Sequence, residues 1–449
     1  LLSDISTKGY DSFENAGYRV PKYNRKKMVT KTMESPFWIH FGAGNIFRAF
    51  QANVIEQLLN KGVLDRGLIV AEGYDYEIID KIYHPYDNHS ILVTLKTDGT
   101  VEKSVIGSVA ESLVLDSENL SAFSRLQEVF RSDSLQIASF TITEKGYQLC
   151  QPNGSYRKDV MADIISGPDH TISYMGKVVS LLHTRYLAGK KPIALVSMDN
   201  CSHNGDKVKT AVHAYAAKWV EQGLVPAEFL AYVQDETKIT FPWSMIDKIT
   251  PRPDAKVQKM LADDGFEDNY TIVTEKHTFT APFVNAEETQ YLCIEDHYTT
   301  GRAPPQLGGV LYCYRETVDK IEKMKVCTCL NPLHTAMSIY GCMLDYTLIS
   351  AEMTDEDLRA FIQKIGYIEA MPVAGDPGVL NPYEFIGAVI NRRLPNPFMP
   401  DAPQRIVTDT SQKLAIRFGE TIKTEGNQNN ELGLPRTTFR IGKETECAG

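Results

Sequence analysis

Within ten residues, Lys325-Val-Cys-Thr-Cys-Leu-Asn331-Pro-Leu-His334 carries an amine, a carboxamide and an imidazole. An amine can take or give a proton, an amide can donate to an oxygen that gathers charge, and an imidazole can orient a substrate. Pro332 directly after Asn331 predicts a helix start there, with Asn331 as N-cap and Pro332 as the first helical residue. His334 then falls in the first turn, on the same side as Asn331 by the i, i+3 rule. Thr335–Leu348 reads as a buried helix behind them, so the polar groups would stand at the lip of a rigid element. The plain alternative is a capped helix with a satisfied histidine, and the rest of the chain must decide.

The elements that would position such a site begin at Phe37-Trp-Ile-His-Phe41, a short apolar run that predicts a buried strand. It leads into Gly42-Ala43-Gly44-Asn45-Ile46-Phe47-Arg48, then a periodic helix from Ala49 to Asn60 stopped by Gly62, then a strand at Gly67–Ala71. This is a βαβ unit with a glycine turn, the geometry that lays a pyrophosphate on a helix N-terminus. Phe47 stands where a third glycine would pack helix against strand, and a tight turn with no ligand is the competing reading. Glu72 and Asp75 follow the second strand. A carboxylate there would accept from a ribose 2′-hydroxyl and favour NAD over NADP.

Further on, Thr97-Asp-Gly-Thr100 between Ile91–Leu95 and Val101–Ile106 signals a hairpin. Strands are predicted at Gln136–Ile142 and Pro192–Val196, followed by the polar runs Thr143-Glu144-Lys145 and Ser197-Met-Asp-Asn200 through Asn204-Gly205. Polar runs at strand ends are where open α/β sheets bind ligands. Asn200 is the functional candidate there, and Asn204 the turn residue. A helix is predicted over Asp206–Glu221. Asp247 is a charge in an apolar segment, so it is either paired, with Lys248 or an arginine, or used. Ala303-Pro-Pro-Gln-Leu-Gly-Gly309 reads as a linker, after which the pattern turns helical at Tyr314–Met324, Leu333–Ser350, Asp355–Ile365 and Tyr383–Arg392. From Leu414 on the chain is mostly polar and carries little signal. The expected architecture is α/β: an N-terminal Rossmann-like doubly wound sheet domain over 1–308, then a mainly α-helical C-terminal domain over 309–449.

The totals narrow the function. A chain of 449 residues, 43% of them hydrophobic, can bury the cores of two domains. A formal charge of −10 argues against nucleic acid as the main partner. No window is apolar for the roughly 20 residues a membrane helix needs, which predicts a protein without a membrane and a cytoplasmic location. Eight cysteines show no Cys-x-x-Cys spacing and no zinc pattern. Cys327 and Cys329 alternate as on a strand and read as small buried hydrophobes.

Taken in order, Gly42-Ala-Gly-Asn-Ile-Phe-Arg48, Thr143-Glu-Lys-Gly-Tyr147, Ser197-Met-Asp-Asn200, Phe241-Pro-Trp-Ser-Met-Ile-Asp247, Glu295-Asp296, Glu322-Lys-Met-Lys325 through Asn331-x-x-His334, and Ser411-Gln-Lys413 resemble the mannitol dehydrogenase family of long-chain polyol dehydrogenases. The resemblance runs from about Ile39 to about Arg417 and is greatest to the hexuronate reductases. It implies a metal-independent oxidoreductase using NAD(H) on a keto sugar acid and its polyol acid, D-fructuronate and D-mannonate first. Tagaturonate with altronate, or mannitol with fructose, are the alternatives within the family, and a catalytically silent nucleotide or sugar-acid binder the alternative outside it. The resemblance makes Lys325 the acid/base, Asn200 and Asn331 donors to the reacting oxygen, His334 an orienting residue, and Glu322 a proton relay. It assigns Asp247, Arg405 and Lys413 to substrate, and Gly42, Gly44, Asn45, Ile46, Phe47, Arg48, Glu72, Asp75, Thr143 and Glu144 to the cofactor. The partner is a small molecule; whether the chain is a monomer or a dimer stays open.

Two departures matter. The family spaces the lysine five positions before the asparagine, whereas Lys325 stands six before Asn331, so a local bulge or a re-aimed lysine is expected. The family also continues well past Ser-Gln-Lys, so part of the helical domain is expected to be altered.

Overall fold

The computed structural model describes residues 1–301, 305–408 and 410–428. Residues 303 and 304 of the expected linker, and Cys447, lie outside them. The chain divides into two compact units. The first comprises Leu1–Thr94, Glu102–Ala286 and Gln290–Cys313; the second comprises Leu95–Val101, Glu287–Thr289 and the chain from Tyr314 on. The expected boundary at 308/309 falls five residues before this one.

In the first unit the strands in chain order are β1 (Trp38–Phe41), β2 (Leu68–Glu72), β3 (Ser90–Leu95), β4 (Val101–Ile106), β5 (Val109–Val114), β6 (Ile137–Phe140), β7 (Ile193–Ser197), β8 (Ile239–Thr240), β9 (Ser244–Asp247), β10 (Ile272–Val273), β11 (Phe279–Thr280), β12 (Phe283–Glu287), β13 (Tyr291–Glu295) and β14 (Leu311–Cys313). Six of them form a parallel sheet in the order β5-β2-β1-β6-β7-β8. The predicted βαβ unit is its centre: β1 and β2 pair in parallel, Ile39 opposite Ile69. Alternate residues of each strand feed opposite cores. Ile39, Phe41, Ile69 and Ala71 join one cluster, while Trp38, Leu68 and Val70 join the other. Helices Leu120–Arg131, Tyr174–Leu187 and Asn204–Glu221 cover the first face, and Ala52–Asn60 the second. A sheet buried on both faces needs strands apolar at nearly every position, which is why these runs show no polar alternation. β5 and the helices at 120 and 174 were not legible in the sequence. Smaller sheets join β12-β3-β4 and β14-β13-β9. Cys293 and Cys313, on the paired strands β13 and β14, are bonded to each other, a pairing the spacing did not suggest.

The second unit is helical as expected, with differences that have a common cause. Helix Arg315–Lys323 runs on as a π-helical turn at Met324–Cys329. Cys327 and Cys329 are therefore buried on a helix and not on a strand; their alternation mimicked a period of two. Leu330 breaks the chain direction, and Asn331 is the first residue of the next helix, Asn331–Met343. Asn331 is thus not the N-cap: that position falls to Leu330, whose side chain makes no cap bond. That helix ends at Met343, short of the predicted Ser350, because Asp345 adopts a left-handed conformation, φ 60°. A short helix, Ile349–Glu352, follows. Helices Glu356–Gln363 and Pro382–Ala388 also continue into π turns, at Lys364–Ala370 and Val389–Arg393. The stretch that carried little signal contains a helix, Thr410–Gln428. Arg393 and Glu287, both buried, form a two-bond pair at 3.0 and 2.7 Å. Among the described residues no helix is long and apolar enough to cross a membrane.

Candidate functional site

The chain leaves β1 for β2 and β5 on one side, then returns to β6 on the other. This makes the carboxyl ends of β1 and β6 the switch point of the sheet, where an open α/β fold leaves a crevice. A cleft of about 1220 Å³ opens there, lined by Gly42, Gly44, Glu72, Asp75 and Thr143, with Lys145 and Lys177 among its cations. Pockets for small ligands run to roughly 1,000 Å³, so this one suits a molecule the size of a dinucleotide.

The two glycines have different reasons. Gly42 sits at φ 108°, and a Cβ there would collide with the Thr141 carbonyl, so the fold itself demands glycine. Nothing lies within 4 Å of a Cβ placed at Gly44. Its bareness serves no packing, and it leaves backbone open toward the cleft. That is an observation a bound phosphate would explain.

The strand ends around this cleft are tied to one another. Gly42 N–H donates to the Ala71 carbonyl at 2.8 Å. The Glu72 carboxylate accepts from the amides of Ala43 (2.8 Å), Tyr74 (2.8 Å) and Asp75 (3.2 Å). Burial raises the Glu72 pKa while those amides pull it back. Its oxygens are thus engaged in holding two loops together. Asp75 is buried and accepts from the Thr274 hydroxyl at 2.6 Å. Beyond β6, Thr143 adopts φ 64° and its amide donates to Asp199 at 2.8 Å. Glu144 pairs with Lys207 at 2.8 Å on the surface.

The other residues of the glycine loop turn inward. Arg48 is buried, donating to the Ala281 carbonyl (2.6 Å), the Asn45 side chain (2.7 Å) and the Thr280 hydroxyl (3.2 Å), and burial lowers its pKa. Asn45 also reaches the Pro251 carbonyl at 3.5 Å. Phe47 stacks on His40 with ring centres 4.5 Å apart, and burial pushes His40 down to about 3, so it is neutral. The position that lacks the third glycine is filled by this stack, and the helix opens with a π turn, Phe47–Gln51. Ile46 is half-buried at the start of the same turn.

Asn200 is exposed in the bend after β7. Asn204 is fully buried at the start of helix Asn204–Glu221, where a turn was expected, and its amide is consumed by the Asp199 carbonyl (3.0 Å) and by Ser244, a structural role. Asp247 is buried at the end of β9.

In the second unit Lys325 is 2% exposed, within the π turn, with Glu322 buried one turn earlier. His334 is buried, its Nε2 3.3 Å from Asp401 Oδ2, close but not aligned as a hydrogen bond. Asp401 also accepts from Arg405 Nε (2.9 Å) and Nη2 (2.6 Å). Burial raises the Asp401 carboxyl, but His334 and Arg405 overcome this and hold it below the usual carboxylate range. Lys413 donates to the carbonyls of Ile406 (3.2 Å) and Thr408. Arg417 donates to Thr335, and burial, with Arg405 nearby, pushes it down to about 10. Sequence reasoning brought together His334, Arg405 and Lys413 but missed Asp401, which joins the first two. Asp401 and Arg405 at i, i+4 was a readable signal; the 67-residue step from His334 to Asp401 was not. Among the described residues no group of three or more His, Cys, Asp or Glu could hold a metal.

Comparison with known proteins bears on what this arrangement serves. The Mannitol dehydrogenase Rossmann domain family matches residues 37–288, and the Mannitol dehydrogenase C-terminal domain family matches residues 317–436. The chain is 49% identical to D-mannonate oxidoreductase of Thermotoga maritima, over 94% of this chain and 78% of that protein. It is 26% identical to polyol:NADP oxidoreductase of Gluconobacter oxydans (92% and 80%) and 27% identical to mannitol 2-dehydrogenase of Cereibacter sphaeroides (88% and 76%). Among solved structures, a substrate-free D-sorbitol dehydrogenase superposes with a TM-score of 0.78 at 24% identity, covering 93% of this chain and 81% of that one. Pseudomonas fluorescens mannitol 2-dehydrogenase, in a ternary complex with NAD and D-mannitol, gives 0.74 at 23% identity (91% and 77%). The last two likenesses establish the fold, and the family matches extend over both units: the chain belongs to the mannitol dehydrogenase family and is an oxidoreductase of the polyol and sugar-acid dehydrogenase kind.

Proposed function

We propose that this protein interconverts D-fructuronate and D-mannonate with NAD(H). The observation that carries the reading is the 49% identity to D-mannonate oxidoreductase across 94% of the chain, against 26–27% to relatives named for polyols. The cleft at the switch point takes the dinucleotide, with the open backbone at Gly44 and the Thr143 turn as its nearest supports. The nicotinamide, when bound, supplies or takes the hydride; the chain supplies position and field. Lys325 gives a proton to the forming hydroxyl in reduction and removes it in oxidation. The Asn331 amide donates to that oxygen as it gathers charge, a task worth roughly 2.7–4 kcal/mol per donor in oxyanion sites. That Asn331 stands at the first helical position and is not the residue that caps the helix supports this role.

A hexuronate differs from a hexitol by its carboxylate, and Arg405 is the cation suited to it. Asp401 engages Nε and Nη2, so the guanidinium is held by one edge while its side chain is still 54% exposed. The end-on edge is the one available to a second carboxylate. His334, against the same Asp401, orients the sugar hydroxyls, and Lys413 adds a second cation.

The experiment is NADH consumption, followed at the nicotinamide absorbance band, with fructuronate, tagaturonate and fructose supplied separately. Fructuronate should exceed fructose in kcat/KM by about 100-fold, the discrimination of one fully used charged contact, and should exceed tagaturonate, which bears the same carboxylate, by the smaller margin that hydroxyl orientation sets. A preference for tagaturonate or fructose sinks the substrate assignment, and no turnover with any of them sinks the enzymatic one.

A further inference from the structure

We infer that Asp199 is a positioning residue: its carboxylate clamps the turn Ile142–Thr143 in the conformation that lines the dinucleotide cleft. This rests on the reading of that cleft as the cofactor site.

Asp199 precedes the exposed Asn200 at the end of β7 and is itself buried. Its carboxylate takes two consecutive backbone amides of the neighbouring strand end, Ile142 at 2.9 Å on Oδ2 and Thr143 at 2.8 Å on Oδ1. The Tyr147 hydroxyl, buried, donates to Oδ2 at 2.5 Å and lies 2.9 Å from the Ser197 hydroxyl. Burial raises the Asp199 carboxyl, and these three donors pull it back down. The aspartate is therefore bonded on both oxygens to the segment that follows β6, while its own carbonyl is fixed by Asn204.

What this holds in place is strained. Thr143 has φ 64°, where a β-branched residue is disfavoured by contact of its side chain with the backbone. Glycine would sit there without strain, as Gly42 does across the cleft floor. The two amides fix the peptide on one side of the Thr143 N–Cα bond and the Tyr147 hydroxyl fixes the chain on the other, so the three bonds to Asp199 together hold Thr143 in the left-handed form. Thr143 lines the cleft. The carbonyl two residues back, on Thr141, is the one against which Gly42 is packed. A single carboxylate thus sets the shape of one cleft wall and, through the adjacent peptide, the base from which Asn200 projects.

The test is a double-mutant cycle on the full chain with Asp199→Asn, Thr143→Gly and both together. Dissociation constants for NADH come from its fluorescence, with a thermal melt of each variant. An asparagine keeps the shape but cannot accept from two amides and the tyrosine at once. We expect Asp199→Asn to weaken NADH binding by about tenfold or more, the equivalent of one charge-assisted bond. In the Thr143→Gly background, where the left-handed turn needs no clamp, the same substitution should weaken binding by only about threefold or less. The melt should show the same sign of coupling without any cofactor. Equal effects of Asp199→Asn in both backgrounds overturn the clamp, as does wild-type affinity in the single variant. A wild-type chain that does not bind NADH overturns the dinucleotide reading instead, and with it this role.

Discussion

Glu352 offers the most direct test of the energetics of the second unit. It is 0% exposed, at the end of helix Ile349–Glu352, with its carboxyl against the bare Cα of Gly341. Among the described residues neither oxygen has a hydrogen-bond partner. The charged or titratable groups it meets are Asp401, Cys342 and Tyr346. Burial, with the Asp401 charge second, pushes its pKa up to about 8 from an ordinary 4.5. The sign follows from linkage. Below the unfolded pKa both states are protonated and the group costs nothing. Between 4.5 and about 8 the unfolded chain releases a proton that the folded chain keeps, so stability falls as pH rises. Above that the folded state carries a buried, unpaired charge. At 1.36 kcal/mol per unit, the interval sets a ceiling of about 5 kcal/mol, of which about 2 kcal/mol should survive relaxation. Glu352→Gln has the shape of the protonated acid and does not titrate. Its amide also lacks partners, but that penalty is constant with pH, so only the slope is read. Urea unfolding at fixed ionic strength should show the wild type losing about 2 kcal/mol or more relative to the variant between about pH 5 and pH 9. Parallel stability curves would refute the assignment of a neutral, unpaired carboxyl at this position.

Two substitutions address the proposed chemistry. Lys325→Ala should lower kcat by about 10²–10⁴-fold, the usual worth of a positioned acid/base, with NADH affinity within about twofold of wild type; undiminished turnover removes the residue from the mechanism. Asn331→Ala should lower kcat by about 10²–10³-fold with little change in KM, since a donor to developing charge acts in the transition state. An effect confined to KM would reduce it to substrate positioning.

The core of the first unit could be read from the chain because its signals are local. Apolar runs at Trp38–Phe41 and Leu68–Glu72, separated by a glycine turn and a periodic helix, specify a parallel pair without knowledge of anything else. The edge strand β5 was illegible for the complementary reason: Val109–Val114 is only partly buried, and Glu111-Ser112 interrupts its apolar run. Roles were harder than elements. Arg48 next to a glycine turn suggests a phosphate ligand, yet its guanidinium faces the Ala281 carbonyl. Glu72 at the end of β2 suggests a ribose ligand, yet three backbone amides hold it. A residue type and a position limit what a side chain can do; its partners are chosen by the fold, for Arg48 by a segment more than two hundred residues away. Asp199, Glu352 and Asp401 went unnoticed because a carboxylate matters here through burial, and burial is a property of the fold.

The extra residue between Lys325 and Asn331 shows how such a discrepancy resolves physically. A π turn holds one residue more than an α turn, which lets an insertion stay inside a helix. In this chain the turn spans Met324–Cys329, and Leu330 N–H closes it by donating to the Lys325 carbonyl at 3.2 Å. Wider turns leave carbonyls poorly paired, and the Cys327 carbonyl takes its donor from the Thr421 hydroxyl at 2.7 Å, on the helix Thr410–Gln428. Leu330, with φ −127° and ψ −64°, then resets the direction before Asn331 begins a new helix. A π turn is one form that the expected local bulge can take. The lysine and the asparagine lie on separate helical segments joined by one non-helical residue, so counting positions between them as if on a single helix gives the wrong face. The same device recurs at Phe47–Gln51, Lys364–Ala370 and Val389–Arg393, each continuous with an α-helix. A period of 3.6 read across any of these junctions slips by a residue.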